Sequence, residues 1–396
     1  MSEQCGVRVS IVRGGTSKAI FVRAEDWPAE SRPEADELIR AIFGSPDRRQ
    51  VDGIGGADLL TSKFSIIGPP SRDDADVDYT FVQVGIETPT VSWAMNCGNI
   101  SAVVGPYAID EGFVEAVEPS TTVRIHQVNT GRLIVAEVPV RDGAAAVAGD
   151  YEINGVPGSG AKVTLDFSDS AGGTTGALLP TGNPVDTLEV EGIGPIEASI
   201  VDAANPIVFI RAEDIGLRGD EDPNEIDSDA ELMAKLELIR CTGAVAAGFA
   251  ATPEEAEVDC PTVPFIAFVG KPRPWTDFAS GEQHAADECD LNARLYVMRR
   301  MHKAYAGTGT ICTGAAARIP GSITNQALGA SGQEGLVVRI GHPSGVIPIE
   351  VEVEVAGHES PVLRRAAIHR TARRLLDGTV YVPRAAYPSK QEPSLA

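Results

Sequence analysis

The segment NCGN at residues 96–99 could support acid–base or nucleophilic chemistry, because it places a cysteine where a helix is expected to begin. A strand-like stretch precedes it, and apolar residues with helical spacing follow it. Free N–H groups and the positive end of the helix dipole stabilise a thiolate and can hold a carboxylate. Cys97 is therefore a candidate catalytic residue, and Asn96, Gly98 and Asn99 are candidate substrate-binding residues. The alternative is a buried cysteine with a structural role.

A second cysteine lies in a similar setting, in the segment GTGTICTG at residues 307–314. We expect it also to stand at a helix N-terminus, so that two helix ends face one cleft and hold a substrate with two or three carboxylates. Two opposed cysteines would also suit proton transfer by two bases. The candidates here are Cys312, Gly309, Thr310 and Thr313. The alternative is a small residue packed inside a helix.

Two polar turns could hold the carboxylates of such a substrate. RGGTSK at residues 13–18 combines glycines, hydroxyls and two cations, a composition suited to a carboxylate cradle. HPSG at residues 342–345 adds an imidazole and a hydroxyl. For both segments the alternative is a turn without a ligand-binding role. The candidate ligands from the two turns are Arg13, Ser17, Lys18, His342 and Ser344.

Composition and charge exclude several classes of protein. The chain has 396 residues, of which 43% are hydrophobic and 22% charged, as expected for a globular protein of two or three domains. Its 33 basic and 56 acidic residues give a net charge of −23, which argues against binding to nucleic acid or to an anionic membrane. We expect neither a transmembrane segment nor a secretory signal. The scattered cysteines and histidines predict reduced thiols, no metal site and a cytoplasmic location.

The elements that must position the candidate residues form an internal repeat. FVRAED at residues 21–26 recurs as FIRAED at 209–214, and ELIR at 37–40 recurs at 237–240. A strand pattern that ends in glycine and then the two cysteine segments follow in the same order. Strand-like and helix-like stretches alternate irregularly within each copy. The repeat therefore predicts a duplicated α/β unit, in which a mixed sheet curls around a central helix.

Apolar spacing predicts further helices. One is expected to follow residue 99, with a kink at Pro106. A second is expected over residues 291–305, with the basic cluster RRMHK at 299–303 on its solvent-exposed face.

The chain resembles the 2-methylaconitate cis–trans isomerase (PrpF) family along nearly its whole length. The resemblance is carried by RGGTSK (13–18), DGIGGADLLTSK (52–63), DDADVDYTFVQV (73–84), NCGN (96–99), PTGN (180–183), GTGTICTGAAARIPG (307–321), HPSG (342–345) and RTARRLLDGTVYVP (370–383). It implies a diaminopimelate-epimerase-like α/β (α+β) fold. In that fold two similar domains, each a curled mixed sheet wrapped around a central helix, enclose the active site in the cleft between them. We expect one domain over residues 1–187, completed by 366–396, and the other over 188–365.

The resemblance also implies the reaction. Members of this family move a proton and a double bond in a small unsaturated polycarboxylate, and none is understood to need a cofactor. We expect cis–trans isomerisation of 2-methylaconitate or aconitate. A 4-oxalomesaconate tautomerase and a methylitaconate Δ-isomerase stay open as alternatives. So do an amino-acid epimerase with two thiols and, outside enzymes, a polycarboxylate-binding accessory protein.

The family's catalytic pair is the lysine of its TSK segment and the cysteine of its NCGN segment. Carried over to this chain, these are Lys63 and Cys97. Without the resemblance, Lys63 reads as a surface residue of a strand. A lysine acts as a base only after it loses its proton, which burial or a neighbouring positive charge favours. The roles of acid and base stay open. The expected ligand is a small anionic polycarboxylate, and a homodimer is the commonest assembly for a soluble protein of this kind.

Overall fold

The computed structural model describes residues 3–94, 96–355 and 360–388. In these residues it contains seven α-helices and 23 strands, of which 19 form one continuous mixed sheet. The helices are α1 (Arg32–Phe43), α2 (Gly98–Asp110), α3 (Pro223–Ser228), α4 (Ala230–Ala246), α5 (Pro253–Asp259), α6 (Gly307–Ala317) and α7 (Ile323–Ala327). The strands up to residue 170 are β1 (Gln4–Gly14), β2 (Ser17–Arg23), β3 (Lys63–Gly68), β4 (Val77–Val84), β5 (Val91–Ser92), β6 (Ser120–Gln127), β7 (Arg132–Arg141), β8 (Ala144–Ala145), β9 (Tyr151–Glu152), β10 (Ser159–Gly160) and β11 (Val163–Asp166). The later strands are β12 (Asp186–Val190), β13 (Gly194–Ala203), β14 (Asn205–Arg211), β15 (Phe265–Gly270), β16 (Trp275–Thr276), β17 (Gln283–His284), β18 (Leu291–Val297), β19 (Arg300–Met301), β20 (Val337–His342), β21 (Gly345–Glu354), β22 (Val362–Arg370) and β23 (Ala372–Pro383).

Two series of strands in this sheet have the same pattern of pairing. The first half of the sheet runs β23–β1–β2–β3–β4–β6–β7–β11, with β2–β3 and β4–β6 parallel and the other pairs antiparallel. The second half runs β12–β13–β14–β15–β18–β20–β21–β22, with β14–β15 and β18–β20 parallel and the rest antiparallel. Strands β11 and β22 pair and join the halves. The duplicated α/β unit that the sequence predicts is therefore confirmed.

Each half of the sheet wraps around one helix. Helix α2 packs on β1, β2, β6, β7, β11 and β23, and α6 packs on β13, β14, β20, β21 and β22. Both sequences are built from small and apolar residues, and α6 carries no charged residue. A helix that is apolar on every side must be buried on every side, and all eleven residues of α6 are buried. The predicted central helices are thus confirmed, including the helix that begins after Cys97.

The two central helices meet at their N-termini through glycine. A Cβ atom on Gly98 would lie 2.8 Å from the backbone C of Gly307 and from the N of Thr308. A Cβ atom on Gly307 would lie 2.8 Å from the backbone N of Asn99. These distances are too short for any side chain, so the close approach of the helix ends requires glycine on both sides.

The helix predicted over residues 291–305 is wrong. The chain forms β18, turns at Met298 and Arg299, and returns as the short strand β19. All seven residues of β18 are buried, and a strand covered on both faces has no alternating pattern that would distinguish it from a helix. The basic cluster at 299–303 therefore lies on a hairpin and not on a helix.

The C-terminal strand returns to the start of the chain, because β23 pairs along β1 from Pro383 opposite Gln4 to Ala372 opposite Gly14. The division into domains at 1–187 and 188–365, with 366–396 completing the first, stays a prediction. Within the described ranges, no helix is both long enough and apolar enough to cross a membrane.

Candidate active site

A small cavity of about 30 Å³ lies where the N-termini of α2 and α6 meet. Both halves of the sheet contribute to its wall. The first half contributes Ser17, Lys63, Phe81, Gln83, Asn96, Cys97 and Asn99. The second half contributes Phe265, Val297, His302, Ala306, Gly307 and Thr308. We call this space the Lys63–Cys97 cavity.

Cys97 is the residue immediately before the first turn of α2, with φ −128° and ψ 99°, and it is 8% exposed. Its N–H donates to Oδ1 of Asn96 at 2.7 Å, and its carbonyl accepts from the N–H of Ser101 at 2.8 Å. Asn96 is held in turn by Asn205 of β14, which accepts from its N–H at 3.0 Å and donates to its carbonyl at 2.9 Å. Hydrogen bonds between the two halves thus fix Cys97 at the N-terminal end of helix α2.

Lys63 is the first residue of β3 and is 7% exposed. Its Nζ donates to Oε1 of Gln83 at 2.7 Å and lies 5.5 Å from the centre of the Phe81 ring. The amide of Gln83 is fixed because its Nε2 donates to the carbonyls of Ser62 at 2.9 Å and Leu59 at 3.3 Å. Among the described residues, no Asp or Glu forms an ion pair with Lys63. A neutral amide and an aromatic ring therefore hold this amine, and no acidic side chain of the described residues supplies a counter-charge.

His302 is a site residue that the sequence analysis missed. It follows β19, is 8% exposed, and accepts a hydrogen bond at Nδ1 from the N–H of Ala304 at 3.2 Å. Burial, reinforced by the positive charge of Lys63, lowers the pKa of His302 to about 4, although Asp58 opposes the shift. The ring is therefore neutral at physiological pH, and the acceptor role of Nδ1 leaves Nε2 as the donor.

Ser17 and Asn99 offer polar atoms to a ligand. Ser17 is 2% exposed, and its Oγ has no hydrogen-bond partner within the described part of the chain. A buried hydroxyl in that state can bind a group that enters the cavity. Asn99 lies in the first turn of α2, where its Nδ2 donates to Oγ1 of Thr16 at 3.0 Å and its Oδ1 accepts from Nε of Arg370 at 2.9 Å.

A second cavity of about 100 Å³ adjoins the first and shares Asn99 with it. His342 and Arg370 line it, together with the strand β9 and residues 346–348 of β21. Burial lowers the pKa of His342 well below its ordinary value, and the positive charges of Arg294 and Arg370 add to this effect. His342 therefore enters the wall as a neutral imidazole.

The structure brings together six of the predicted residues and places others away from both cavities. Ser17, Lys63, Asn96, Cys97 and Asn99 line the first cavity, and Asn99 and His342 line the second. Gly98 forms the contact between the helix ends.

Arg13, Lys18 and Ser344 do not line either cavity. The Nη1 atom of Arg13 donates to the carbonyls of Thr371 at 2.8 Å and Gly15 at 3.1 Å, so it supports the turn behind the site. The Oγ of Ser344 donates to the carbonyl of Lys303 at 2.6 Å. The side chains of Arg13 and Ser344 thus bind the protein backbone, whereas Ser17 and His342 of the same two turns line the cavities.

The prediction that Cys312 stands at a helix N-terminus is wrong. It is the sixth residue of α6, is fully buried, and its Sγ donates to the carbonyl of Val201 at 3.1 Å. Burial raises the pKa of Cys312 well above its ordinary value, so the thiol keeps its proton. The residue that occupies the position of Cys97 in the second half is Ala306, just before the first turn of α6. A two-thiol reaction therefore has no second thiol at the cavity.

The other candidates on α6, of which Gly309 and Thr310 are its third and fourth residues, do not line the cavity. Thr310 donates through Oγ1 to the carbonyl of Ala306 at 3.0 Å, and Thr313 bonds the hydroxyl of Tyr305 at 2.9 Å. Gly309 faces Leu295 of β18. Helix α6 instead presents Gly307 and Thr308 to the cavity.

The two halves line the Lys63–Cys97 cavity with different chemistry. Lys63 and Phe265 are the first residues of the equivalent strands β3 and β15. Cys97 and Ala306 precede the equivalent helices α2 and α6. The first half thus supplies an amine and a thiol where the second supplies a phenyl ring and a methyl group. In the ranges that the structure describes, no group of three or more His, Cys, Asp or Glu side chains is placed to hold a metal ion.

Comparison with known proteins identifies close relatives over the whole chain. The family model described as "PrpF protein" matches residues 4–383. The "3-methylitaconate isomerase" of Eubacterium barkeri is 52% identical over 385 residues, which are 97% of this chain and 99% of the relative. The "2-methyl-aconitate isomerase" of Shewanella oneidensis is 41% identical over 393 residues, which are 96% of this chain and 98% of the relative.

Solved structures give the same result. A crystal structure of methylitaconate-delta-isomerase superposes with a TM-score of 0.79 at 51% identity, covering 99% of this chain and 100% of that one. A hydroxyproline epimerase from Agrobacterium vitis superposes with a TM-score of 0.58 at 13% identity, covering 96% of this chain and 94% of that one. At that identity the likeness concerns the fold alone, and it confirms the epimerase-like architecture.

Proposed function

The chain belongs to the PrpF protein family and is an isomerase, and we propose that it moves a proton and a double bond in a small unsaturated di- or tricarboxylate. The observation that supports this most is the buried amine of Lys63 in one cavity with the thiol of Cys97, at the junction of two helix N-termini. The cavity thus contains two side chains that can donate and accept protons. They lie at two helix N-termini, which favour the binding of anions.

The reaction begins at a carbon next to a C=C bond that is conjugated to a carboxylate. A C–H bond at that carbon is acidic because the carbanion left behind is delocalised as an enolate. We assign the removal of this proton to Lys63, which acts as a base in its unprotonated form, and we assign the donation of a proton to the thiol of Cys97. The reverse assignment uses the same geometry. If the proton returns to the other end of the allylic system, the double bond shifts. If it returns to the same carbon after rotation, the geometry changes from cis to trans.

The negative charge of the intermediate needs donors that are already in place. The first-turn N–H groups of α2 and α6 have no partner within their helices, and they point into the junction. The Oγ of Ser17 adds a hydroxyl without a protein partner among the described residues. Removing one such donor typically costs about 2.7–4 kcal/mol of transition-state stabilisation, so several donors together are a large part of the rate enhancement.

The comparisons support a double-bond shift as the first candidate reaction and cis–trans isomerisation as the second. From the sequence alone, 2-methylaconitate or aconitate is the expected substrate. The relative named for 3-methylitaconate is 52% identical, however, and the one named for 2-methyl-aconitate is 41% identical. We therefore propose a methylitaconate-type dicarboxylate as the first substrate to test.

Proton NMR of the enzyme in D₂O with a panel of acids tests the proposal. The panel contains methylitaconate, 2-methylaconitate, cis- and trans-aconitate and 4-oxalomesaconate. We expect one acid to be converted into an isomer with deuterium at a single carbon, and the labelled carbon distinguishes a shift from a rotation. If no acid reacts but several raise the melting temperature, a binding protein replaces the isomerase. If none reacts and none binds, the substrate class is wrong.

A further inference from the structure

We infer that Arg370 is the centre of a carboxylate-binding subsite next to the Lys63–Cys97 cavity, where it anchors a substrate carboxylate remote from the reacting carbon. The inference rests on the proposed function for the identity of its ligand. It adds to that function a residue that positions the substrate and selects for a second carboxylate.

Arg370 is the last residue of β22 and is 4% exposed. Its Nε donates to Oδ1 of Asn99 at 2.9 Å, and its Nη1 donates to the carbonyl of His369 at 2.7 Å. Among the described residues, Nη2 has no hydrogen-bond partner, and no Asp or Glu forms an ion pair with the guanidinium. One edge of a buried cation is therefore left for a group that is not part of the protein.

Two other arginines are as deeply buried and differ in their pairing. Arg294, 1% exposed, forms no ion pair among the described residues and donates to the carbonyls of Glu221 and Ala293, whereas Arg240 has a counter-ion. Arg240 is 1% exposed, and Glu237 accepts from its Nη2 at 2.8 Å and from its Nε at 2.9 Å. Burial without a counter-ion is costly, and a chain with 56 acidic residues could readily supply one. Burial lowers the pKa of Arg370 to about 10, so the group stays charged at neutral pH. The guanidinium fork matches a carboxylate in shape, and a ligand carboxylate would supply the missing charge.

The second cavity has room for this carboxylate. It has a volume of about 100 Å³ and is lined by Arg370, Asn99, Tyr151 and the neutral imidazole of His342. Glu152 is the acidic residue in its described lining, and it is exposed at the rim. The positive charge of the deep part of the cavity is therefore not cancelled by the protein.

Asn99 connects this subsite to the chemistry. It lines both cavities, and it lies two residues after Cys97 in the first turn of α2. Because Nε of Arg370 bonds to the Asn99 side chain, the guanidinium is held at a fixed position relative to the helix end. A substrate with two carboxylates can then place one near α2 and Ser17 and the other against Arg370.

Binding of unreactive saturated acids to the full chain tests the subsite without requiring turnover. Calorimetry compares butyrate, pentanedioate and propane-1,2,3-tricarboxylate on the wild type, Arg370→Gln, Arg370→Lys and Arg364→Gln. Arg364 is the matched control, because it lies on the same strand, is exposed and pairs with Glu354 at 2.7 Å. A charged hydrogen bond is worth about 1.5–3 kcal/mol, or roughly 10- to 150-fold in affinity.

We expect the wild type and Arg364→Gln to bind pentanedioate at least tenfold more tightly than butyrate. Arg370→Gln should lose this gain, and Arg370→Lys should recover part of it. In turnover assays Arg370→Gln should raise KM more than it lowers kcat. If Arg370→Gln keeps the gain for the second carboxylate, the subsite is refuted. If the gain is present and depends on Arg370 but no unsaturated acid is isomerised, the subsite stands and the proposed function falls.

A measurement on the wild type covers the case in which Arg370→Gln does not fold. In ¹⁵N-labelled protein, the Nε–H resonance of Arg370, assigned by its loss in Arg370→Lys, should shift when pentanedioate is added and not when butyrate is added. An unchanged resonance at a saturating pentanedioate concentration would overturn the inference.

Discussion

Replacing the glycines at the helix junction by alanine should separate the two helix ends and slow catalysis. In Gly98→Ala or Gly307→Ala, the new Cβ would lie 2.8 Å from backbone atoms of the opposite helix. Ordinary contact begins near 3.4 Å, and backbone cannot rotate aside, so the helices must move apart by about 0.6 Å. Overpacking of this kind typically costs 1–3 kcal/mol of folding free energy.

The catalytic effect follows from the same displacement. A misplacement of about 1 Å can cost 10²-fold in rate, so a shift of about 0.6 Å should lower kcat/KM by roughly tenfold or more. The assay is initial-rate isomerisation followed by proton NMR, together with the free energy of unfolding from urea denaturation.

Gly309→Ala is the matched control, because Gly309 is in the first turns of the same helix α6. Its new Cβ would lie 3.0 Å from Cδ2 of Leu295 and 3.4 Å from Cε1 of Tyr305, so it would contact side chains and not the backbone of the opposite helix. Alanine also favours a helix over glycine by about 0.8–1 kcal/mol, so we expect unchanged activity and equal or slightly higher stability. If Gly98→Ala and Gly307→Ala are as active and as stable as Gly309→Ala, the tight junction is not what positions the site.

Three further predictions concern single groups of the site. Lys63→Ala and Cys97→Ala should each lower kcat by about 10²–10⁴, the usual contribution of general acid–base catalysis, while Cys312→Ala keeps most of the turnover because that thiol lies inside α6. Gln83→Glu should place a carboxylate against Nζ of Lys63, stabilise the ammonium form, and make kcat/KM low at pH 7 and recover at higher pH. Buried His302 has a pKa of about 4, against about 6.5 in an unfolded chain, so the unfolded chain binds this proton more readily. The free energy of unfolding should therefore fall by about 3 kcal/mol between pH 6.5 and 4. In His302→Gln this decrease should be smaller.

Each of these predictions has a result that contradicts it. Full activity of Cys97→Ala in a steady-state assay would refute the proposed acid–base pair. A pH profile of Gln83→Glu parallel to that of the wild type would show that Lys63 is not the base. An equally steep loss of stability below pH 6.5 in His302→Gln, measured by urea denaturation at each pH, would assign that loss to other groups.

The architecture could be predicted from the sequence because the duplication left matching segments on matching elements. FVRAED lies at the end of β2 and FIRAED at the end of β14, and the two ELIR segments lie on α1 and α4. Cys97 could be placed because polar residues mark the start of α2, and apolar residues follow at helical spacing.

The position of Cys312 could not be predicted in the same way. Helix α6 begins with small, uncharged residues, GTGTICTG, so nothing in its sequence marks the first turn. The matched cysteines suggested one register of the repeat, whereas the contact of Gly98 with Gly307 fixes another. The two halves are equivalent in how their backbones pack, and this equivalence does not require a cysteine at the same position in both.

His302 was missed for a different physical reason. The hairpin before it turns through Met298 and Arg299 at φ 52° and 59°, a conformation that usually requires glycine or asparagine. Because neither residue is present, the sequence of residues 291–305 predicts a continuous helix. The histidine is then interpreted as part of a solvent-exposed basic cluster. The fully buried strand β18 strengthens that reading, because tertiary burial removes the alternation of polar and apolar residues.

The two halves of the chain line the Lys63–Cys97 cavity with different side chains, and this difference bears on the stereochemistry of the reaction. Two identical subunits around an exact twofold axis must offer the same groups to both faces of a flat molecule. A duplicated unit fused into one chain is free of that constraint, and here Lys63 and Cys97 stand in one half while Phe265 and Ala306 take their places in the other. A planar intermediate held at the junction of α2 and α6 therefore meets unlike surroundings on its two sides. Where the reaction makes or consumes a stereocentre, we expect the protein to favour one mirror image over the other.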